Sequence, residues 1–258
     1  MYHLKKEIKN KEFEIYFVND LHIGLKGFRE KDFIKNVRDP ILKGKNKYWI
    51  GLGDYIEGRS PSHKFYDAAA RDVDVNDQLK KMSDLLKPIA PKCLGMVIGN
   101  HERSVLRETT IDIVMNFCCN NNIPYAGNVG LLDISNGRGQ VKSLLFAHGS
   151  GGGVTKGGPL NKAVNYTQYW DADMYFQGHS HSLSSAVVDK HERDSNNAPT
   201  FRATHVTVCG SFLSGYPNGS NSYEETMNLP PNGIGFVKVS FDSELEPEIH
   251  IKAINVSK

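Results

Sequence analysis

Five apolar runs in this sequence each end in a small group of Asp, Asn or His residues beside glycine. In residues 48–58, YWIGLGDYIEG, the β-prone part ends at Gly51 and Gly53, just ahead of Asp54, as expected where a buried strand ends in a tight turn. The other four runs are FVNDLHIG, GMVIGNHE, SLLFAHGS and DMYFQGHSH. Open α/β sheets place their chemistry at the C-terminal ends of strands, so the pattern predicts an α/β fold with five strand ends converging on one site.

The rest of the chain agrees with an α/β arrangement in its first half and mostly strands in its second. Phe33, Val37 and Ile41 recur at helical spacing, and Pro40 is expected to interrupt that helix. LLDIS and QVKSLLFAH, joined by NGRG, predict a hairpin. Strands are also predicted near residues 184–189 and 201–208, with long polar loops at 190–199 and 214–233.

Length and composition are those of a globular enzyme-sized domain. At 258 residues and 39% hydrophobic content, the chain can bury a large core, and we expect one domain over residues 1–258. The formal charge of +2 is too small to indicate nucleic-acid binding by bulk electrostatics. The class of partner must therefore be inferred from the site.

The sequence also favours a cytoplasmic protein with no membrane partner. No run of about 18 apolar residues occurs, and the N-terminal segment alternates charged with apolar residues, unlike a signal peptide. The four cysteines show no CxxC spacing, and two of them are adjacent, which favours free thiols in a reducing compartment over a disulfide framework.

Each polar motif taken alone has a structural explanation. Asp20 and His22 in DLHIG could be a solvated turn residue and a packed histidine, and Asn100 in GNHE could cap a helix. The two histidines of GHSH could be structural as well. Core packing does not predict that five of the ten histidines fall within these turns, each of which ends a separate apolar strand, and their joint occurrence therefore favours metal binding.

The donor atoms of these motifs are nitrogen and oxygen only. Such a set favours borderline ions, with Mn²⁺ preferred and Fe²⁺ or Zn²⁺ as alternatives, and it lacks the thiolates typical of structural zinc. Seven donors are too many for one tetrahedral site, but they suit two divalent ions that share a carboxylate. The candidate metal ligands are Asp20, His22, Asp54, Asn100, His148, His179 and His181.

In order, DLHIG, GDYIEG, GNHE, the lone histidine of AHG and GHSH resemble the signature of the calcineurin-like metallophosphoesterases. The resemblance implies a four-layer α/β/β/α sandwich of two mixed β-sheets flanked by helices. It also implies that Asp20, His22 and His181 hold one ion, that Asn100, His148 and His179 hold the other, and that Asp54 bridges them. DxHxG and GHxH resemble the branch that contains cyclic-nucleotide phosphodiesterases, small-molecule phosphoesterases and repair nucleases more than the protein phosphatases. Glu57 replaces the Asp that is more usual at the end of GDxxD.

Two divalent ions can coordinate the non-bridging oxygens of a phosphate and lower the pKa of a water molecule that they share. The leaving oxygen must then be protonated, and His101 matches the family's catalytic histidine. Glu102 is predicted either to orient His101 or to stabilise the first turn of a helix, and the sequence leaves both roles open.

Substrate-binding residues are sought in cations and aromatic side chains near the motifs. GSGGGVTKGGP is not a phosphate-binding P-loop, because glycine follows its lysine where serine or threonine is required. Aromatic residues and amides in residues 210–233 could stack a base or cap the site. The candidates are Arg59, Arg103, Arg107, Lys156, Tyr216 and Tyr223.

The sequence thus predicts a dinuclear metal-dependent phosphoesterase. A phosphodiesterase acting on nucleotides or nucleic-acid ends is preferred, and the first alternative is a phosphomonoesterase, including a protein phosphatase. A non-catalytic scaffold with the same fold is a third alternative, disfavoured because every ligand type and His101 are present.

Overall fold

The computed structural model describes residues 2–59, 61, 66, 74–151, 155, 157–194, 196–217, 222–226, 228 and 233–254. Its strands are β1 (Tyr2–Glu7), β2 (Phe13–Val18), β3 (Lys47–Gly51), β4 (Cys93–Met96), β5 (Val129–Ser135), β6 (Val141–Ala147), β7 (Met174–Gln177), β8 (Leu183–Arg193), β9 (Pro199–Cys209), β10 (Gly235–Phe241) and β11 (Pro247–Ala253). Its α-helices are α1 (Glu30–Phe33), α2 (Asp39–Lys43), α3 (Val75–Leu86), α4 (Asn100–Thr109), α5 (Ile113–Asn120), α6 (Gly157–Asn165) and α7 (Tyr223–Thr226).

The strands form two mixed sheets. One has the order β1-β5-β6-β7-β9-β8, in which β6, β7 and β9 are parallel. The other has the order β11-β10-β2-β3-β4, in which β2, β3 and β4 are parallel. The parallel strands of each sheet end at the same edge, so the turns that follow these strands lie side by side. We call this edge of the sandwich the rim.

The sheets pack face to face and carry helices on their outer faces. Phe17 of β2 and Phe176 of β7 stack across the interface, with ring centroids 3.9 Å apart. Helices α1 to α5 cover β2, β3 and β4 through residues such as Phe33, Leu86 and Val114. Ala163 of α6 packs against the other outer face. The predicted four-layer α/β/β/α sandwich is therefore confirmed.

The helix predicted around Phe33 is longer than expected. It runs from α1 through a π-helical turn, Ile34–Arg38, into α2, so Pro40 does not end it. Pro40 lies in the first turn of α2, where a missing N–H is tolerated, and the wider π turn precedes it.

The predicted polar loop at residues 190–199 is wrong. Strands β8 and β9 pair continuously from Leu183↔Cys209 to Arg193↔Pro199, so only residues 194–198 connect them. Half-buried and exposed residues alternate along this hairpin, and many of them are polar because so much of its surface faces solvent. Such a polar composition resembles that of a loop. The hairpin predicted across NGRG is present as β5 and β6.

The structure bears on two of the features from which a cytoplasmic location is predicted, the state of the cysteines and the presence of membrane-spanning helices. All four cysteines are free thiols. Among helices within the described ranges, none is long and apolar enough to cross a membrane. The cytoplasmic location stays a prediction.

Candidate metal centre

The seven predicted ligands meet where five parallel strands end. Asp20 follows β2, Asp54 follows β3, Asn100 begins α4 after β4, His148 follows β6, and His179 follows β7. His22 and His181 lie two residues beyond Asp20 and His179. Since the strands belong to both sheets, the site spans the rim of the whole sandwich.

We call the group of Asp20, His22 and His181 position 1. Nε2 of His22 lies 3.0 Å from Nε2 of His181. The latter atom is 3.3 Å from Oδ1 of Asp20. One donor atom from each of the three side chains lies within 4.8 Å of the other two, so a single ion can contact all three.

We call the group of Asn100, His148 and His179 position 2. Oδ1 of Asn100 lies 2.8 Å from both Nε2 of His148 and Nδ1 of His179. These two ring nitrogens are 3.1 Å apart. Imidazole nitrogens and a carboxamide oxygen that face one another at these distances are suited to a shared cation.

Asp54 faces both positions with one oxygen. Its Oδ2 lies 3.9 Å from Nε2 of His22 in position 1 and 3.2 Å from Nε2 of His148 in position 2. Its Oδ1 accepts a hydrogen bond of 3.0 Å from the backbone N–H of His101. The donor set therefore fits two divalent ions that share Asp54, as predicted from the sequence. The ligand assignment itself stays a prediction.

The backbone is strained where these side chains project. Asp20, His22, Asp54, His179 and His181 all have positive φ, and they make up five of the ten such non-glycine residues in the described parts of the chain. A residue in this conformation costs on the order of 1–3 kcal/mol and persists only where its surroundings enforce it. The concentration of strain on predicted ligands supports a functional role for this rim.

Glycine permits the strand ends to approach one another. A Cβ on Gly99 would lie 2.1 Å from Oδ1 of Asp54, and one on Gly53 would lie 2.5 Å from the Gly99 nitrogen. Any side chain at either position would therefore separate β3 from β4 and displace Asp54. This contact explains Gly99, and Gly53 is required for a second reason as well, because its φ of 91° lies in the region that favours glycine.

Hydrogen bonds fix the orientation of two of the histidines from behind. Nδ1 of His148 lies 2.8 Å from the carbonyl oxygen of Leu52, and Nδ1 of His22 lies 3.1 Å from Oε2 of Glu57. A proton on Nδ1 leaves Nε2 free to bind an ion, the usual arrangement of metal-binding histidines.

His101 lies beside position 1 with its ring directed at Asp54. Its Nε2 is 3.8 Å from Oδ2 of Asp54, and its Nδ1 is 2.6 Å from the carbonyl oxygen of Glu57. The Glu57 carboxylate also approaches Nδ1, at 3.2 Å. Arg59 extends this network, since its Nη2 lies 3.1 Å from Nε2 of His101 and its Nε lies 3.1 Å from Glu57.

The contacts of Glu102 favour the second of its two predicted roles, stabilisation of the first turn of a helix, and a catalytic role for it stays a prediction. Its carboxylate accepts hydrogen bonds of 3.0 Å from three backbone N–H groups, those of Asp54, Ile56 and Gly99. The carboxylate thereby holds the β3 turn against the start of α4. Orientation of His101 belongs to Glu57, because that residue lies on the turn that faces the ring.

Burial and mutual charge shift the pKa values of the centre. Burial opposes the charge of Asp54, but His148 and His101 outweigh it and hold the pKa of Asp54 well below its usual range. Burial likewise opposes protonation of His101, yet Asp54 and Glu57 raise its pKa to about 9. Burial and the Asp54 carboxylate raise the pKa of Glu102 to about 7.

The predicted substrate-binding residues lie in different places, and only some of them are near the metal centre. Arg59 lies at the centre, whereas Arg103 donates to Asn128 and Arg107 is exposed in the last turn of α4. Tyr216 is 41% exposed, and its hydroxyl approaches the carbonyl oxygen of Glu224 at 3.5 Å. Lys156 and the side chain of Tyr223 lie outside the described residues.

Two residues near the centre were missed from the sequence. The side-chain amide of Asn19 donates to Oδ2 of Asp20 at 2.6 Å and to the carbonyl oxygen of Gly210 at 2.6 Å. Oε1 of Glu224 lies 3.9 Å from Nδ1 of His181. Asn19 could have been found as a polar residue at the end of β2, but no sequence signal marks Glu224.

With this geometry established, comparison with known proteins gives the family. The model of the calcineurin-like phosphoesterases matches residues 13–183. The chain therefore belongs to the calcineurin-like phosphoesterase family, as the sequence resemblance predicted. No curated protein matches the chain significantly.

Solved structures with a similar fold share little sequence with this chain. Vps29 complexed with Zn²⁺ from Entamoeba histolytica has 12% identity over 94% of this chain and 100% of its own, with a TM-score of 0.45. A metallophosphoesterase from Sphaerobacter thermophilus has 13% identity over 95% of this chain and 89% of its own, with a TM-score of 0.44. A predicted phosphoesterase from Streptococcus pneumoniae has 13% identity over 94% and 98%, with a TM-score of 0.38.

Proposed function

We propose that this protein is a dinuclear metal-dependent phosphodiesterase that acts on nucleotides or nucleic-acid ends. The observation that carries the proposal is the position of Asp54, whose Oδ2 faces His22 and His148 while His101 lies 3.8 Å from the same oxygen. Two ion positions and a proton donor thus meet around one carboxylate.

When bound, two divalent ions supply Lewis acidity toward phosphate oxygens and activate water at neutral pH. Mn²⁺ suits the nitrogen and oxygen donors, and Fe²⁺ or Zn²⁺ are the alternatives. In the described parts of the chain, no cysteine joins the three groups of donor atoms that could hold a metal ion.

The chain's own residues supply acid catalysis and phosphate binding. His101 holds a proton on Nε2 for the leaving oxygen, while Glu57 fixes Nδ1 on the other side of the ring. Arg59 donates to Nε2 of His101 in this structure, so its guanidinium must move to a non-bridging phosphate oxygen before Nε2 can carry that proton.

Preference for a nucleotide substrate rests on Tyr216, whereas the choice of a diester over a monoester follows from the sequence motifs and is decided by the test below. Its ring is 41% exposed on the segment that carries Glu224, and Glu224 in turn faces position 1. An exposed aromatic ring near a phosphate site favours a substrate with a base, because every base offers a stacking face. A phosphoserine peptide would gain nothing from this surface.

The test is hydrolysis by protein stripped with a chelator and reloaded with Mn²⁺. Nucleotide diesters and bis-p-nitrophenyl phosphate are expected to be cleaved faster than p-nitrophenyl phosphate or phosphoserine peptides. The His101→Ala variant should keep its ions and lose about 10²- to 10⁴-fold in turnover, with a smaller loss on nitrophenyl leaving groups, which need less protonation. The matched control is His191→Ala, since His191 is exposed on the β8–β9 hairpin.

Each other outcome has a definite meaning. Faster cleavage of monoesters would overturn the diesterase proposal in favour of the phosphomonoesterase. Full metal loading with no hydrolysis of any ester would favour the non-catalytic scaffold.

A further inference from the structure

The segment that follows β9 approaches position 1, although it lies outside the family match of residues 13–183. The carbonyl oxygen of Gly210 accepts from Asn19, which also donates to Asp20. The backbone N–H of Phe212 donates to the carbonyl oxygen of Asp20 at 3.2 Å. The side chain and the backbone of one predicted ligand are thus fixed by residues beyond the family core.

Glu224 brings a buried carboxylate to the same place. The residue is 7% exposed, and its Oε1 lies 3.9 Å from Nδ1 of His181. A buried carboxylate requires a partner, because removing its charge from water without compensation costs several kcal/mol. The separation is longer than a hydrogen bond but within the range of an ion pair.

The backbone around Glu224 is held in place by local contacts. The hydroxyl of Ser222 accepts from the N–H of Glu225 at 3.0 Å and donates to the carbonyl oxygen of Gly215. A Cβ added at Gly215 would lie 3.0 Å from Cγ of Glu224, so the two chain segments are in close contact. The carboxylate therefore projects from a braced turn.

The other two histidines whose Nε2 faces an ion position already have acceptors at Nδ1. His22 has Glu57 at 3.1 Å, and His148 has the Leu52 carbonyl at 2.8 Å. His181 is the third such histidine, and Glu224 is the acidic group recorded at its Nδ1 among the described residues. Acceptors at this place set the tautomer of a metal-binding histidine and raise its basicity.

We propose that Glu224 is a positioning residue for His181, holding the proton on Nδ1 so that Nε2 faces the ion of position 1. The proposal rests on the proposed metal centre. It means that position 1 depends on a segment outside the family match, whereas the predicted ligands of position 2 all lie within it.

The experiment compares Mn²⁺ binding by Glu224→Ala, Glu224→Gln and the wild type, using calorimetry and the electron paramagnetic resonance signal of free and bound Mn²⁺. Glu224→Ala should weaken one ion about 10- to 100-fold and leave the other unchanged, as is typical for loss of an outer-sphere partner. Glu224→Gln should recover part of this loss, because its carbonyl oxygen can still accept from Nδ1–H. Glu225→Ala, an exposed neighbour in the same helix, is the matched control and should bind as the wild type does.

The melting temperature of the metal-free protein separates positioning from a structural role. If Glu224→Ala lowers that temperature while both Mn²⁺ affinities stay within twofold of wild type, the proposal is overturned. An equal loss in Glu225→Ala would overturn it too. A wild type that binds two ions and cleaves no ester, with Glu224→Ala still losing one ion, contradicts the proposed function and supports the role of Glu224. A wild type that binds no Mn²⁺ overturns both.

Discussion

The two ion positions share Asp54 but differ in charge and in access to solvent. Position 1 adds the carboxylate of Asp20, which is 0% exposed, to buried His22 and half-buried His181. Position 2 adds only the neutral amide of Asn100, which is exposed, to buried His148 and half-buried His179. One position therefore has two carboxylates in a closed setting, and the other has one carboxylate in an open setting.

This difference indicates a division of labour. Affinity for a divalent ion rises with the number of charged ligands, so position 1 should bind its ion more tightly. Catalytic positions leave coordination sites open to water and substrate, and position 2 has the exposed side. We therefore expect the ion in position 1 to be retained between turnovers and the ion in position 2 to exchange more readily.

Removing the shared carboxylate should weaken ion binding at both positions and have the largest effect on turnover. Asp54→Asn weakens both positions at once, and turnover should fall by at least about 10³-fold, because the ions contribute several kcal/mol to transition-state stabilisation. Metal analysis after dialysis against Mn²⁺ should find fewer than two ions on each chain. Asp20→Asn is the control, since it should release one ion only. Two ions and normal turnover in Asp54→Asn would show that this carboxylate is not shared.

Exchanging the charges should reverse the order of the two affinities. Asp20→Asn removes a charge from position 1, and Asn100→Asp adds one to position 2. A unit charge at 4 Å contributes about 4 kcal/mol at an effective dielectric of 20, so each change should alter the affinity of its own position by at least about tenfold. Calorimetric titration with Mn²⁺ measures both steps.

The double variant Asp20→Asn/Asn100→Asp makes this test sharper. It keeps the total charge of the centre constant and should bind its first ion at position 2. Unchanged stepwise affinities in this variant would mean that burial, and not charge, sets the order of binding.

The fold and the meeting of the seven candidate ligands could be predicted from sequence for one physical reason. An apolar run that ends in glycine and a polar residue identifies the C-terminal end of a strand, and parallel strands bring such ends together. Asp54 and His148 are far apart in the chain yet lie 3.2 Å apart because β3 and β6 end at the same rim. The strand-end pattern within each motif is sufficient to place its ligand at this rim.

Contacts between motifs could not be read in the same way. Glu102 follows His101 directly, but its side chain reaches the turn after β3, whereas Glu57 reaches back to the ring. The sequence contains no distances across the rim, so it left both roles of Glu102 open and did not connect Glu57 with the His101 ring. Glu224 was missed for a related reason, since its segment carries no strand-end pattern.

The smallest expected effect is that of pH on the ratio of the two Mn²⁺ affinities, because proton release should be similar at the two positions. In position 2, burial opposes protonation, but Asp54 raises the pKa of His148 to about 9, while burial and His148 lower the pKa of His179. In position 1, burial again opposes protonation, but Asp20 raises the pKa of His181, while burial and His101 lower the pKa of His22. Each ion therefore displaces about one proton, since a ligand must be deprotonated.

Both Mn²⁺ affinities should consequently rise with pH by up to about tenfold per unit, at position 2 as far as about pH 9, while the ratio between them changes less than either affinity. The metal-free protein should behave in the opposite way. An unfolded histidine titrates near pH 6.5, so the stabilisation from protonated His148 is complete below about pH 6.5 and is lost as the pH rises through about 9. Titrations with Mn²⁺ and metal-free melting curves across this range check both trends. A ratio of affinities that changes with pH as much as either affinity does would show that the positions release different numbers of protons, and would locate the pH-sensitive step at one of them.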